Sequence, residues 1–166
     1  MEPHESEYGK GCEAAARHDF EAAVQHYDAA IRLKADYHQA WYNRGIALVA
    51  LGQPEAAIAS YARAVAFKPD KHEAWFNQGI ELVALGRYGE AVASYDRAIA
   101  AKPDKHEAWY NRACAQALQG GVELALKDLE RALTLNAREY VSLAKTDPEL
   151  NRLRQDKRFK SLLAKF

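Results

Sequence analysis

The chain has 166 residues, enough for one domain with a sizeable buried core. Lys plus Arg number 23 and Asp plus Glu number 23, so the basic surplus that phosphate binding requires is missing, which argues against nucleic acid as the ligand. No apolar run approaches the roughly 20 residues of a membrane span, and the acidic start Met1–Glu7 lacks the apolar core of a signal peptide.

In chain order, residues 4–37 read as a weak copy of the next two segments, keeping Gly11, Ala23, Tyr27 and Ala30. Residues 38–71 and 72–105 are the strong copies and match at 22 of 34 positions. In the first of these, Trp41, Gly45 and Leu48 fall at i, i+4, i+7, which predicts one face of a helix. Gly52 closes that helix, and Pro54 fits the first turn of the next, where a missing N–H costs nothing. Ala57, Tyr61 and Ala64 then mark a second helix, stopped at Pro69. Residues 72–105 repeat the scheme with Trp75, Gly79, Leu82, Gly86, Ala91, Tyr95, Ala98 and Pro103. Residues 106–139 keep Trp109, Ala125 and Ala132 but carry Ala113, Leu129 and Ala137 at the first Gly, the aromatic and the Pro. A 34-residue unit is too short for a domain and too long for a heptad, and it buries its apolar face by stacking on its neighbours. Small residues alternate with rings because two helix backbones must approach closely while a ring fills the gap beside them.

After residue 139 the period ends. Glu139–Lys145 predicts a further helix, and Thr146-Asp147-Pro148-Glu149 is a helix start. Leu150, Leu153, Phe159, Leu162 and Leu163 are the apolar set of one or two short helices covering the last repeat, as a solenoid end requires.

These residues resemble the tetratricopeptide repeat (TPR) family: W-x3-G-x2-L, a turn Gly, A-x3-Y-x2-A, then Pro. The resemblance covers about residues 4–139. It implies an all-α, right-handed α-solenoid of four helix pairs (4–37, 38–71, 72–105, 106–139) with a C-terminal helical cap over 140–166. One departure is internal: where the family has Leu three residues after the Trp, this chain has Arg44, Gln78 and Arg112, whose stems are expected to pack while their heads reach out to solvent.

The resemblance also implies that the first helix of each repeat lines a concave groove. The lining positions are Tyr42, Ile46 and Val49; Phe76, Ile80 and Val83; Tyr110 and Cys114; and Tyr8 with Cys12 in the first repeat. An exposed apolar stripe of this kind marks an interaction site. Burial of much of it between helices or beneath the C-terminal segment is the alternative. Asn43, Asn77 and Asn111 follow the aromatics; such amides are able to clasp a peptide backbone, or to bond internally to a neighbouring loop. The family's carboxylate clamp for EEVD chaperone tails would place its residues at Tyr8, Cys12, Asn43, Glu73 and Asn77, where only Asn43 matches and no cation meets the carboxylate.

Catalysis and metal binding find no support. His38, His72 and His106 sit at equivalent positions, one repeat apart, too far to share an ion. Cys12 and Cys114 are three repeats apart, roughly 25–30 Å at ordinary helix spacing, beyond disulfide reach. No phosphate loop or nucleophile motif occurs. The chain therefore reads as a cytoplasmic, non-enzymatic binding module without cofactor or metal, holding a protein or peptide partner.

The second reading is head-to-tail self-assembly. Residues 1–37 carry 4 basic and 8 acidic side chains, and residues 138–166 carry 8 basic and 4 acidic. Glu5, Glu7, Glu13, Asp19 and Glu21 of one molecule would then meet Arg152, Arg154, Lys157, Arg158 and Lys160 of the next, giving a homo-oligomer that weakens with salt.

Overall fold

The path from one repeat to the next is set by where the glycines and prolines sit. The structure, a computed structural model, describes residues 1–166 and consists of helices joined by short turns. The chain forms two compact units, Met1–Glu81 and Leu82–Phe166. The first holds α1 (Pro3–Ala16), α2 (Phe20–Leu33), α3 (His38–Ala50), α4 (Pro54–Phe67) and most of α5 (His72–Ala84). The second holds α6 (Tyr88–Ala101), α7 (His106–Gln119), α8 (Val122–Thr146), a 3-10 turn (Pro148–Leu150), α9 (Asn151–Arg154) and α10 (Lys157–Leu163). No helix is long and apolar enough to cross a membrane.

The turn between the helices of a pair is set by one left-handed residue. Gly52, Gly86 and Gly120 have φ of 68°, 72° and 91°. A Cβ at Gly52 or Gly86 would meet nothing within 4 Å, so the backbone angle, not space, favours glycine there. His18 holds the same phase in the first repeat at φ 61°. Within the first unit, the close approach of α1 to α2 and of α3 to α4 is set by Gly11 and Gly45. A Cβ at Gly11 would lie 2.6 Å from the Tyr27 ring, and one at Gly45 2.5 Å from the Tyr61 ring.

Each tryptophan performs the same task. Trp41, Trp75 and Trp109 donate their Nε1–H to the carbonyls of Ala35, Pro69 and Pro103, at 2.8, 2.9 and 2.9 Å. The indole thus pins the loop that leads into its own helix, and satisfies the indole N–H that half-burial would otherwise penalise.

The repeat phase persists beyond the last recognisable copy. Lys34, Lys68 and Lys102 end their helices with φ between −146° and −135° and ψ between 84° and 96°. Asn136, at the same phase, has φ −153° and ψ 72° and breaks the helical geometry within α8. Its amide then bonds Glu139: Nδ2 donates to Oε2 at 2.7 Å and Oδ1 accepts from the Glu139 N–H at 3.4 Å. Without the Pro-Asp loop, an asparagine cap restarts the helix directly. Asp147 caps the following turn by accepting from Glu149 N–H at 3.0 Å. Leu150, Leu153, Phe159 and Leu162 are buried against Leu126, Leu129 and Leu133 of α8 and Tyr110 and Cys114 of α7.

One sequence expectation needs correction. The arginine heads do not reach out to solvent. Arg44 donates from Nε to Asp28 Oδ1 and from Nη1 to Ser60 Oγ, both at 2.7 Å. Arg112 grips Asp128 with Nε at 2.6 Å and Nη2 at 2.8 Å, and reaches Asp96 with Nη1. In both cases one partner is 16 residues before and one 16 residues after, so each guanidinium joins two successive second helices. Five donors in a fixed fork suit that task, and Leu cannot perform it. Gln78, at the same phase, donates to the Ile58 carbonyl at 3.3 Å.

Candidate functional site

The lining residues come from the first helices of the repeats, and they divide into an open and a closed set. In the first unit, Ile46, Val49 and Ile80 are exposed by 41%, 37% and 39%. Tyr8, Cys12, Tyr42, Asn43, Phe76 and Asn77 are partly buried. Cys12, Ala15, Phe20, Tyr27, Asn43, Ile46 and Ala47 line an open recess of about 220 Å³.

The asparagines are held from one side. Asn43 Nδ2 donates to the Tyr8 hydroxyl at 2.8 Å and lies 3.7 Å from Cys12 Sγ. Asn77 Nδ2 donates to the Tyr42 hydroxyl at 3.2 Å. The internal partner is thus not a neighbouring loop but the ring of the preceding repeat, 35 residues earlier. The amide carbonyl of each asparagine keeps its acceptor capacity. Burial pushes the Tyr8 phenol up to about 12, reinforced by Cys12, so it stays a protonated hydroxyl. Burial and the Glu73 carboxylate likewise raise Tyr42. Lys71 sits over the Tyr42 ring, 4.2 Å from its centroid, and covers one face of it.

The fourth repeat is closed. Tyr110 and Cys114 are 4% and 2% exposed, so neither presents a surface to a ligand. Tyr110 stacks on Tyr140 and donates its hydroxyl to Asp147 Oδ2 at 2.8 Å. Cys114 Sγ lies 3.9 Å from the same oxygen. Burial first, then the Asp147 carboxylate, pushes the Cys114 thiol far up, away from the thiolate form. Cys114, Asp147 and Glu149 each bring one ligand atom within 4.8 Å of the others. Sequence spacing gave no signal of this cluster, because Asp147 and Glu149 lie outside the repeat. Val83 and Asn111 in this unit are partly buried. Both cysteines are free thiols.

Many of the end charges already have partners within the chain. Glu5 closes a capping box on α1, Glu7 pairs with Lys10 and His26, and Asp19 caps α2. Arg158 pairs with Glu123 and Asp156, and Arg154 donates to the carbonyls of Ala144 and Asp147. Glu13 and Glu21 at one end and Lys157 and Lys160 at the other remain exposed.

A tetratricopeptide repeat family model matches residues 8–72 and 76–140, and the chain belongs to that family. Among solved structures, the segment from residue 41 to the end of MamA from Desulfovibrio magneticus RS-1 superposes with a TM-score of 0.84 at 19% identity, covering 99% of this chain and 93% of that one. Another MamA structure gives a TM-score of 0.82 at 17% identity, covering 98% of this chain and 90% of that one. YrrB, described as a TPR protein with an unusual peptide-binding site, gives 0.76 at 25% identity, covering 86% of this chain and 74% of that one. No functionally curated protein matches the sequence.

Proposed function

We propose that the chain is a non-enzymatic interaction module whose first unit binds an extended peptide segment of a partner protein. The observation that carries this reading is the pairing of Ile46, exposed by 41%, with Asn43, whose Nδ2 is fixed by Tyr8 and whose carbonyl is left to accept. An extended backbone presents one N–H per residue, and an immobilised acceptor beside an apolar contact holds it without reading its side chains. Asn77 and Ile80 repeat the arrangement one repeat later. The recess beside Ile46 would take one apolar side chain of the segment. Stacked helices pre-organise these groups, so little ordering cost falls on binding. That YrrB is described as having a peptide-binding site supports the class of ligand. Tyr110 and Cys114 take no part, because the cap occupies their surroundings.

The test is affinity capture from the source cell, mapping of the retained segment by cross-linking, and calorimetry with that segment as a synthetic peptide. The wild type is compared with Ile46→Asp and Asn43→Ala after circular dichroism shows equal helicity. Loss of at least about tenfold in affinity, about 1.4 kcal/mol, in both variants supports the reading. A mapped segment that binds all three proteins equally would overturn it.

A further inference from the structure

The C-terminal cap, in the second unit, carries a recess of its own. Phe159, Leu163 and Ala164 form its apolar part, Lys145, Arg154 and Lys160 complete its lining, and its volume is about 420 Å³. Three cations line it and no carboxylate does. The ion pairs of the cap use Arg158 and Lys165 and leave Lys145 and Lys160 out. Arg154 is held by neutral acceptors: Nη1 donates to the carbonyls of Ala144 at 3.1 Å and Asp147 at 2.6 Å, and Nη2 to Asn151 Oδ1. Its position is fixed while its charge is not cancelled. The carbonyl end of α8 offers only about half a unit of opposing charge.

We propose that this recess binds an acidic segment of a partner protein, with one bulky apolar side chain inserted between flanking carboxylates. Charge complementarity selects the sign of the partner, and the apolar floor selects the anchor. The volume lies in the lower part of the range typical of ligand pockets, about 300–1,000 Å³, which suits one large side chain with its neighbours. A concave recess of that size favours an inserted side chain over a flat lipid surface. The site is independent of the Asn43 and Ile46 surface, so either proposal stands if the other fails.

The probe is an N-acetylated, fluorescein-labelled hexapeptide of sequence DDFLDD, titrated with the whole chain and read by fluorescence anisotropy. Saturable binding is expected, weakening with added salt because the cations are exposed to screening. Lys145→Glu combined with Lys160→Glu should reduce affinity at least about tenfold, or about 1.4 kcal/mol, while Ile46→Asp leaves it unchanged. Lys145→Ala with Lys160→Ala, milder changes at exposed positions, should give an intermediate loss and guards against misfolding of the reversed variant. The peptide NNFLNN, and DDAADD without the anchor, should both bind at least about tenfold more weakly. Equal binding of NNFLNN, equal binding by the charge-reversed variant, or binding only of phosphatidylserine vesicles would each overturn the proposal.

Discussion

Tyr110 lies flat against Tyr140, their ring centroids 4.5 Å apart and their planes 13° from parallel. Tyr110 is the fourth repeat's counterpart of Tyr8 and Tyr42, and the helix that restarts after Asn136 delivers Tyr140 onto it. The cap therefore takes for itself the surface that the first unit leaves open. Tyr140→Ala should cost about 3 kcal/mol, as for other buried aromatics truncated to Ala. Tyr140→Phe keeps the stack and loses only the 2.7 Å contact with His106 Nδ1, worth about 1 kcal/mol. Urea denaturation followed by far-ultraviolet circular dichroism reads the loss. Equal losses in the two variants would show that the hydroxyl, not the stack, holds the cap.

The left-handed turn residue gives a prediction of opposite sign at equivalent positions. His18 occupies at φ 61° the place that Gly52, Gly86 and Gly120 hold in the other repeats. A side chain in that region costs roughly 1 kcal/mol. His18→Gly should therefore stabilise the first unit by about 0.5–1 kcal/mol, and Gly52→Ala should destabilise it by a similar amount. His18 also makes an edge contact with Phe20, centroids 5.8 Å apart. If that contact outweighs the strain, His18→Gly lowers the urea midpoint instead, and the strain argument fails.

Arg112 and Asp128 test the inter-repeat link. Asp128 is 4% exposed and takes two of the guanidinium's donors. Arg112→Leu restores the residue usual in the family but strands a buried carboxylate, and should cost about 3–5 kcal/mol. Adding Asp128→Leu removes the stranded charge and should recover most of that loss. A double variant as unstable as the single one would mean that the Asp96 contact, not the buried pair, carries the link.

How much of this structure was legible in the sequence depends on what the period encodes. Trp41, Gly45, Tyr61 and Gly52 recur because each solves a local problem within one repeat, so the helix pairs and their turns could be read directly. The family match at residues 8–72 and 76–140 spans these positions. The arginine links could have been found from the recurring 16-residue spacings of Asp28, Arg44 and Ser60 and of Asp96, Arg112 and Asp128, since acids and a hydroxyl stand where a long cation would need them. The cluster of Cys114, Asp147 and Glu149 could not, because it joins a repeat position to residues outside the period. The asparagine bonds sit between the two cases. Their 35-residue spacing to Tyr8 and Tyr42 was present, yet nothing in the sequence says that an amide turns toward the preceding ring rather than toward a ligand.

Glu149 supplies a pH-dependent prediction. Its burial, and then the neighbouring Asp147 carboxylate, raise it above the ordinary glutamate value of 4.5. Above the raised value it is ionised in both folded and unfolded chains, and the folded state bears the cost of a partly buried charge beside another. As pH falls through the raised value toward 4.5, the folded chain takes up the proton first, so stability rises relative to neutral pH. Glu149→Gln removes that cost at neutral pH and should raise the melting temperature by about 1–3 °C, an advantage that disappears below about pH 4.5. Asp147→Asn should act in the opposite sense at neutral pH, because Asp147 accepts from the Tyr110 hydroxyl with one oxygen and from the Glu149 N–H with the other, and an amide offers a single acceptor oxygen; the bond lost outweighs the relief of Glu149, for a net loss of about 1 kcal/mol. Thermal melts of the three proteins across that pH range decide the matter. A Glu149→Gln protein that melts lower than wild type at neutral pH would show that the carboxylate is needed as an acceptor in the cap, and that its proximity to Asp147 is not a net cost.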